Sequence, residues 1–423
     1  MRKVPMKTGI LLFLLLAALL ASCDNDCPTR SSPGLVVIVS PDGTGDYPSI
    51  QQALTSSPDG ATVELEDGTF AGDGNRDLDF QGKAVTLRSQ GGTAARCIID
   101  CGADTATVHR GFYFHSGEGP FSVIEGITIT GGTHEIGGGV FCDSSSSPTI
   151  HACVLRGNYA RLGAGIFCAH DSNPLLDSLL FESNVSSDEG GGLVCFEADP
   201  ALNECTFRGN SARNLGGGIF CHDANPVLDG CRFEANTGHF GGGLYCQVSA
   251  PVLTRCIFLD NWSRWCGAGA YINSLSYPVF RYCTFAGNES TCGSSISSDR
   301  GSLTLVRNCT MVSNIASRAA GVECDFAGKA VLINTIIAFN ASGFAVYCRD
   351  SDSTLDLVGC DLYGNALGDW VGCVESQLQG FGNSQQDPQF CDLQARDYHL
   401  RRHSPYATPG GENWVGAWPV GCD

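Results

Sequence analysis

The feature that most constrains the fold of this chain is an asparagine that recurs about every 26 residues. Nine asparagines follow one another at spacings of 25 to 27 residues: Asn158, Asn184, Asn210, Asn236, Asn261, Asn288, Asn314, Asn340 and Asn365. Helical repeats are longer, about 33 to 47 residues, and their apolar residues follow a period of 3.6. Here apolar and polar residues alternate, with Leu228, Cys231 and Phe233 expected to point inward. The repeat therefore predicts a solenoid of β-strands.

A second motif begins each repeat with glycines and ends on an apolar pair and a cysteine. Its copies are Gly137-Gly-Gly-Val-Phe-Cys142, Gly163-Ala-Gly-Ile-Phe-Cys168, Gly190-Gly-Gly-Leu-Val-Cys195, Gly216-Gly-Gly-Ile-Phe-Cys221 and Gly241-Gly-Gly-Leu-Tyr-Cys246. Each copy precedes a proline and a second strand-like stretch, so the pattern indicates two strands per repeat. Glycine permits the tight corners of a small coil. Stacking such coils ~4.8 Å apart would align the asparagines in a ladder of side-chain amides.

These motifs resemble the repeats of chlamydial polymorphic outer-membrane proteins and of bacterial surface β-helix proteins. The segment Pro41-Asp-Gly-Thr-Gly-Asp-Tyr-Pro-Ser-Ile-Gln-Gln-Ala53, with Gly68-Thr-Phe70, resembles the first turn of the pectin-lyase-like superfamily. The resemblance covers about 37–423 and implies an all-β, right-handed, single-stranded parallel β-helix with about 26 residues per coil. It also implies that a short helix near 49–56 caps the first coil. One architecture hosts many activities, so the resemblance informs the fold more than the function.

Five segments are expected along the chain. They are a lipoprotein signal peptide (1–22), a linker (23–36), an N-terminal cap with the first coils (37–130), the regular repeats (131–375) and an irregular C-terminal cap (376–423). Gly132, 26 residues before Asn158, is expected to replace asparagine in the first ladder position. The last segment loses the repeat, as a terminal cap should.

The N-terminus predicts export. Arg2, Lys3 and Lys7 precede an apolar run of eleven residues, which is too short to cross a bilayer. Leu20-Ala21-Ser22-Cys23 resembles a bacterial lipobox, which implies that Cys23 is acylated and anchors the chain to a membrane. The alternative is an ordinary secretory signal and a secreted protein. The net charge of −19 excludes nucleic acid as a general partner.

Twenty-three cysteines are too many for a reducing compartment unless they bind metal. They fall in two columns, and the first holds Cys142, Cys168, Cys195, Cys221, Cys246, Asn273, Ser298, Cys324 and Cys348. The second holds Cys153, Leu179, Cys205, Cys231, Cys256, Cys283, Cys309, Thr335 and Cys360. Buried thiols and disulfides between coils remain open alternatives, and 22 cysteines besides Cys23 could pair completely. Cys266 and Cys292 are the favoured pair, and Cys373, Cys391 and Cys422 are candidates to staple the cap.

Two rows of exposed side chains are candidate functional sites. The first is an acidic and histidine strip comprising Asp143, His170, Asp171, Glu197, Asp199, His222 and Asp223. This strip could serve acid–base chemistry or hold Ca²⁺; no other metal or cofactor is expected. The second is a cationic and aromatic row comprising Arg161, Arg213, His239, Arg264, Trp262 and Trp265. Aromatic rings beside cations suit stacking on sugar rings. The alternative for both rows is that they are solvated turn residues.

The function expected from these features is adhesion or carbohydrate binding by an exported rod of the bacterial cell envelope. Its partners would be a carbohydrate or another surface ligand, with membrane contact only through the lipid anchor. The alternative is a polysaccharide lyase or hydrolase acting on uronic-acid polymers, although the Gly-His-Gly and Arg-Ile-Lys motifs of polygalacturonases are absent. A passive structural role in the envelope is the third alternative.

Overall fold

A computed structural model of the chain describes residues 34–102, 107–407 and 414–423. Residues Leu35–Asp423 form one compact unit. The predicted signal peptide, Cys23 and almost all of the linker lie outside the described residues. Among the described residues, no helix combines the length and the apolar character needed to span a membrane.

The described residues wind into a right-handed parallel β-helix, as the repeat predicts. Each regular coil contains four short strands rather than the two that the sequence pattern indicated, so the coils build four parallel sheets. The chain runs through sheet 1, sheet 2, sheet 3 and sheet 4 in that order and then enters sheet 1 of the next coil. Sheets 1 and 3 are therefore never neighbours around a coil.

The strand bounds follow the repeat closely. Sheet 1 contains Val36–Val39, Thr62–Leu65, Thr86–Ser89, Val123–Glu125, Thr149–His151, Leu175–Asp177, Ala201–Asn203, Val227–Asp229, Val252–Thr254, Val279–Arg281, Leu303–Arg307, Lys329–Ile333 and Thr354–Val358. Sheet 2 contains Gly68–Ala71, Cys97–Asp100, Thr128–Thr130, Val154–Arg156, Leu180–Glu182, Thr206–Arg208, Arg232–Glu234, Ile257–Leu259, Thr284–Ala286, Thr310–Val312, Ile336–Ala338 and Asp361–Tyr363.

The other two long sheets have fewer strands because the early coils lack some of them and, in sheet 3, the last coils do as well. Sheet 3 contains Thr133–Ile136, Tyr159–Leu162, Val185–Glu189, Ser211–Ala212, Thr237–Phe240, Trp262–Cys266, Glu289–Ser290 and Ile315–Ala316. Sheet 4 contains Phe112–Phe114, Val140–Cys142, Ile166–Ala169, Leu193–Phe196, Ile219–His222, Leu244–Gln247, Ala270–Asn273, Ile296–Asp299, Ala319–Asp325 and Phe344–Cys348. A small fifth sheet contains Phe390–Asp392, Asp397–Arg401 and Val420–Cys422.

The interior of the coil stack is apolar and in register. Leu228, Cys231 and Phe233 are fully buried, as the alternation predicted. Phe233 lies between Phe207 and Phe258, with ring centroids 5.0 and 4.5 Å away and nearly parallel planes. Burying one such ring contributes about 1.5 to 3 kcal/mol, and the repeat multiplies that contribution along the rod.

The predicted asparagine ladder is present and buried. The Nδ2 of Asn236 donates to the Oδ1 of Asn261 (3.0 Å) and to the Phe207 carbonyl (2.8 Å). Its own Oδ1 accepts from the backbone N and the Nδ2 of Asn210, both at 3.0 Å. The ladder begins at Gly132, whose N donates to Asn158, so glycine does occupy the first ladder position.

The glycine motif is required where sheet 3 turns into sheet 4. A Cβ on Gly217 would lie 2.4 Å from the Thr237 carbonyl oxygen and 2.6 Å from that of Gly242, both in the next coil. Gly216, just before it, adopts a φ of +66°, which glycine tolerates without strain. The motif therefore carries consecutive glycines for two reasons: Gly216 needs a positive φ, and Gly217 has no room for a Cβ.

The two ends of the stack are closed differently. Helix Ile50–Ser56 covers the first coils and is capped by Ser49, whose side chain accepts a hydrogen bond from the backbone N of Gln52. At the other end, Trp370 and the turn of 3₁₀-helix Gly372–Gln377 pack on the core, with Val374 fully buried. The cap predicted for 376–423 does more than close this end.

The C-terminal residues fold back along the outer face of sheet 2. That face is charged in the earlier coils, where Arg156 pairs with Glu182 (2.7 Å). In the later coils it is apolar, and Phe390, Tyr398 and Leu400 of the tail pack there against a cluster that comprises Leu259, Ala286, Val312, Ile336 and Ala338. The tail is held by hydrogen bonds such as that from the Trp418 Nε1 to the Thr284 Oγ1 (2.8 Å).

Most cysteines are buried thiols rather than disulfides. Fifteen described cysteines are unpaired and buried. Of the two alternatives left open by the sequence, buried thiols therefore predominate over disulfides between coils, and complete pairing of the cysteines is excluded. The first column is also corrected at one position, because Ile272 rather than Asn273 pairs with Cys246. Three disulfides are present: Cys266–Cys292, Cys348–Cys373 and Cys391–Cys422. The first is the pair that the sequence favoured, and the other two tie the end of the stack and the tail.

We expect the buried thiols to resist alkylation in the native protein. The thiolate is the reactive species, and burial raises the pKa of Cys153 and of Cys360 to about 12. Mass spectrometry of proteolytic peptides, which separates these positions from Cys23 and Cys27, should show no label on the fifteen unpaired thiols of the native chain. In denaturant without reductant, all fifteen should be labelled and the six disulfide-bonded cysteines should not. Labelling of fewer than fifteen would mean that further disulfides join the coils.

Candidate functional site

The outer face of sheet 3 presents a row of exposed side chains whose residue type differs from coil to coil. The inward positions of its strands hold small residues, for example Ala160 and Ser263, which are buried. The outward positions at the start of the strands include Tyr159 and Trp262, each 42 % exposed, and Ile315. These outward positions do not pack in the interior of the coil, so they are free to carry binding groups.

One groove on this face is built around Trp262 and Arg264. It has a volume of about 630 Å³, and Glu289, Thr291, Ile315 and Leu367 from the following coils also line it. The Arg264 guanidinium lies 5.7 Å from the centroid of the Trp265 ring, a cation–π distance. An indole, a cation and a carboxylate therefore surround one elongated depression.

A second depression adjoins the first on the side of sheet 4. It has a volume of about 350 Å³ and is lined by Phe240, Trp265, the Cys266–Cys292 disulfide, Arg318 and Arg349. Arg318 is held by Glu323, whose side chain is 1 % exposed (Nη2–Oε1 2.7 Å). Burial raises the pKa of Glu323. Arg349 is held in the same way by Asp325 at 2.5 Å.

Trp262, Arg264 and Trp265 of the predicted cationic and aromatic row line these two grooves, and the row's other cations do not. Arg161 forms ion pairs with Glu135 (2.5 Å) and Asp188 (3.2 Å). Arg213 is exposed and His239 is half-buried, and neither forms an ion pair with a described residue. The predicted residues do follow one another along sheet 3. However, the charge of Arg161 is paired with carboxylates, so the row is not an uninterrupted line of unpaired cations.

The predicted acidic and histidine strip lies at the corner between sheets 4 and 1. His170 contacts Asp143 (Nδ1–Oδ1 2.7 Å), and this hydrogen bond raises the pKa of His170. The Oδ1 of Asp199 accepts from the backbone N of Asn225 (2.5 Å), which joins successive turns. His222 stacks on Phe196 with centroids 5.0 Å apart.

The remaining members of this strip occupy turn positions. Asp171, Glu197 and Asp223 adopt positive φ of 59°, 51° and 48°. No group of three or more His, Cys, Asp or Glu that could hold a metal ion occurs in the described part of the chain. The strip therefore offers hydrogen bonds within and between turns, and no ligand cluster for the Ca²⁺ that the sequence suggested.

Sequence reasoning missed Arg318, Arg349, Glu289 and Ile315 as groove residues. The repeat contained a signal for one of them, because Arg318 follows Cys292 by the same 26 residues that separate Cys266 from Cys292. Extending that column would have placed Arg318 beside the disulfide. Arg349 and the buried carboxylates beneath the two arginines gave no comparable signal.

The chain belongs to the family of proteins with a right-handed β-helix region. The family model matches residues 138–309 and 182–379, which together span more than half of the sequence. No curated protein matches the sequence significantly.

Solved structures that are similar to this chain include two lyases. Pectate lyase Pel9A is 12 % identical, with a TM-score of 0.51 over 92 % of this chain and 97 % of the lyase. An alginate lyase from Paenibacillus sp. is 14 % identical, with a TM-score of 0.42 over 78 % of this chain and 99 % of that enzyme. At such low identity the likeness to the pectate lyase establishes the fold alone.

Proposed function

We propose that this protein is an exported carbohydrate-binding rod of the bacterial cell envelope, anchored through Cys23. The observation that carries the proposal is the pair of exposed indoles on sheet 3, Trp262 at 42 % and Trp265 at 47 %, placed at two adjoining grooves. Neighbouring exposed aromatic rings mark interaction sites, and indole faces stack well on the apolar faces of sugar rings. The three disulfides agree with an oxidising compartment.

The groove has the composition expected for binding a sugar chain. Arg264 supplies donors and Glu289 supplies acceptors beside Trp262, and Thr291 adds a hydroxyl group. The grooves are open depressions that lie along the rod axis, so a polymer could cross several coils. Individual contacts of this kind are weak, and repeated units of a polymer would sum them.

The test is binding of a panel of neutral and uronate polysaccharides, measured by isothermal titration calorimetry on the wild-type chain and on Trp262→Ala. We expect the substitution to weaken binding by about tenfold, equivalent to about 1.4 kcal/mol, because it removes one stacking surface. The matched control is Tyr159→Ala, since Tyr159 has the same exposure in the same row four coils earlier.

A second comparison tests whether the cations of the row contribute equally to binding. Arg264→Ala should weaken binding, whereas Arg161→Ala should have little effect because Arg161 is already paired with Glu135 and Asp188. Equal effects of the two variants would contradict the assignment of the groove. Absence of binding to every polysaccharide would favour a passive structural role.

The same samples test the enzymatic alternative. A lyase would generate unsaturated products absorbing near 235 nm, and a hydrolase would generate new reducing ends, with or without added Ca²⁺. Either product would replace the binding proposal with catalysis.

A further inference from the structure

A crevice lies between the C-terminal tail and the outer face of sheet 2. Its volume is about 480 Å³, which is within the range of small-ligand sites. Ile257 and Leu259 form an apolar floor on sheet 2, and Arg232 of the preceding coil lies beside them. The tail supplies polar and aromatic lining residues, which include Arg396, His399 and Trp418. None of these residues lines a groove of sheet 3.

Trp418 provides the aromatic surface of the crevice. Its Nε1 donates to the Thr284 Oγ1 at 2.8 Å, which holds the indole against sheet 2. The side chain is only half-buried, so part of the ring remains uncovered. An indole beside the apolar side chains of Ile257 and Leu259 forms the kind of platform on which the apolar face of a sugar ring packs.

His399 is held in one orientation beside this indole. Its Nδ1 lies 2.7 Å from the Asp397 Oδ1, and its ring centroid lies 4.9 Å from that of Trp418. Gly421 packs against the imidazole, since a Cβ at that position would lie 2.6 Å from the His399 Cγ. When Nδ1 carries the proton that Asp397 accepts, the Nε2 of the neutral ring is an acceptor. Nε2 forms no hydrogen bond within the part of the chain that the structure describes.

Both arginines of the crevice already have a carboxylate partner. The Arg232 Nε lies 3.0 Å from the Glu234 Oε2, and Arg396 donates two hydrogen bonds to Asp260 at 2.7 and 3.0 Å. The crevice therefore has no excess positive charge that would select an anion. Neither Nη group of Arg232 bonds to a residue that the structure describes, so both remain available to donate to a neutral oxygen.

We infer that this crevice is a second carbohydrate site, which takes a neutral sugar ring between the tail and sheet 2. The uncovered indole and the apolar floor suit the carbon–hydrogen face of the ring. Arg232 supplies donors and His399 supplies an acceptor for its hydroxyl groups. Both side chains are held by carboxylates before the ligand arrives, which lowers the entropic cost of binding. The site shares no residue with the sheet 3 grooves, so it does not depend on the function proposed for them.

The experiment is titration by ligand-observed saturation-transfer NMR. The probes are the methyl glycosides of glucose, galactose, mannose and N-acetylglucosamine, with glucuronate as the charged comparison. The wild-type chain and Trp262→Ala should bind at least one neutral glycoside with affinities within about twofold of each other, because Trp262 belongs to a distant site. In the Trp262→Ala chain, adding either His399→Ala or Arg232→Ala should weaken that binding about tenfold, because each removes a hydrogen-bonding partner of the sugar.

Two matched controls test whether the effect is local to the crevice. His151→Ala removes a histidine of similar exposure, 41 % against 38 % for His399, whose Nδ1 lies 2.8 Å from Asp177 on sheet 1. Arg208→Ala removes an arginine that pairs with Glu182 on the same face of sheet 2, outside the crevice. Both should leave glycoside binding unchanged. Circular dichroism and the melting temperature of each variant verify that it is folded.

The inference is overturned if the Trp262→Ala chain binds no glycoside, or if neither His399→Ala nor Arg232→Ala weakens binding. Tighter binding of glucuronate than of methyl glucoside would also overturn it, because the site is then selective for an anion. These outcomes leave the function proposed for sheet 3 intact, since polysaccharide binding by the wild-type chain is measured separately. Loss of polysaccharide binding with retained glycoside binding would contradict that function and support this site.

Discussion

Replacing Asn236 by alanine should lower the free energy of unfolding by about 3 to 5 kcal/mol, because several buried groups lose their partners together. The backbone N of Asn210 would lose its acceptor, and the Phe207 carbonyl would lose the donor at 2.8 Å. Asn236 is 0 % exposed, so bulk solvent does not reach the groups that lose their partners. Urea unfolding monitored by circular dichroism measures the loss.

The matched control for the ladder is Asn203→Ala, in the coil before Asn236. Asn203 is exposed on sheet 1, so its replacement should change the free energy of unfolding by no more than about 0.5 kcal/mol. Asn236→Asp should be as damaging as alanine, because a carboxylate cannot donate to Phe207 or Asn261. If Asn236→Ala unfolds like the control, the ladder aligns the coils without stabilising them.

Replacing Asp361 by asparagine should stabilise the protein at pH 8 and remove a pH-dependent step. Burial raises the pKa of Asp361 to about 7, although hydrogen bonds from Tyr406, Ser384 and the Gln386 N favour the charged form. The folded chain therefore retains a proton that the unfolded chain releases near pH 4. The contribution of Asp361 to stability is therefore greatest below that pH, falls as the pH rises to about 7, and stays low above it.

The size of this step follows from the shift of about 3 pKa units, which corresponds to roughly 4 kcal/mol at most. Asparagine is neutral at every pH and can still accept from Tyr406. We expect Asp361→Asn to raise the free energy of unfolding at pH 8 by roughly 2 to 4 kcal/mol and to leave it nearly unchanged at pH 4. Asp356→Asn, at an exposed carboxyl group in the preceding strand, is the control. An unchanged pH profile in Asp361→Asn would show that Asp361 is already charged in the folded protein.

The sequence predicted the solenoid well because every coil repeats the same local requirements. Phe233 and Asn236 occupy the same places as their counterparts 25 or 26 residues away, so one correct interpretation of a coil applied to the others. The error at Asn273 arose where the repeat lengthens by one residue between Asn261 and Asn288. A shift of one residue reverses the face of a strand, and Ile272 is the residue that points inward.

The candidate site was predictable only in part. Trp262, Arg264 and Trp265 stood out because two aromatic residues and a cationic residue fall close together directly after the ladder residue Asn261. Their grooves depend on residues from later coils, such as Glu289 and Ile315, whose identities carry no signal by themselves. The pairing of the Arg161 charge likewise could not be predicted without knowing that Glu135 and Asp188 lie on the coils before and after it.

The sequence by itself determined the coil length, the inward row of phenylalanines and the asparagine ladder. These features recur once per coil. Residues one period apart occupy the same position in adjacent coils, so the period itself predicts that they are in contact. Only the tertiary structure decided that the tail lies on sheet 2, which thiols remain unpaired, and which exposed residues share a groove. Those contacts join residues that differ in type and are unrelated by the repeat, so their energies depend on distances that no periodicity encodes.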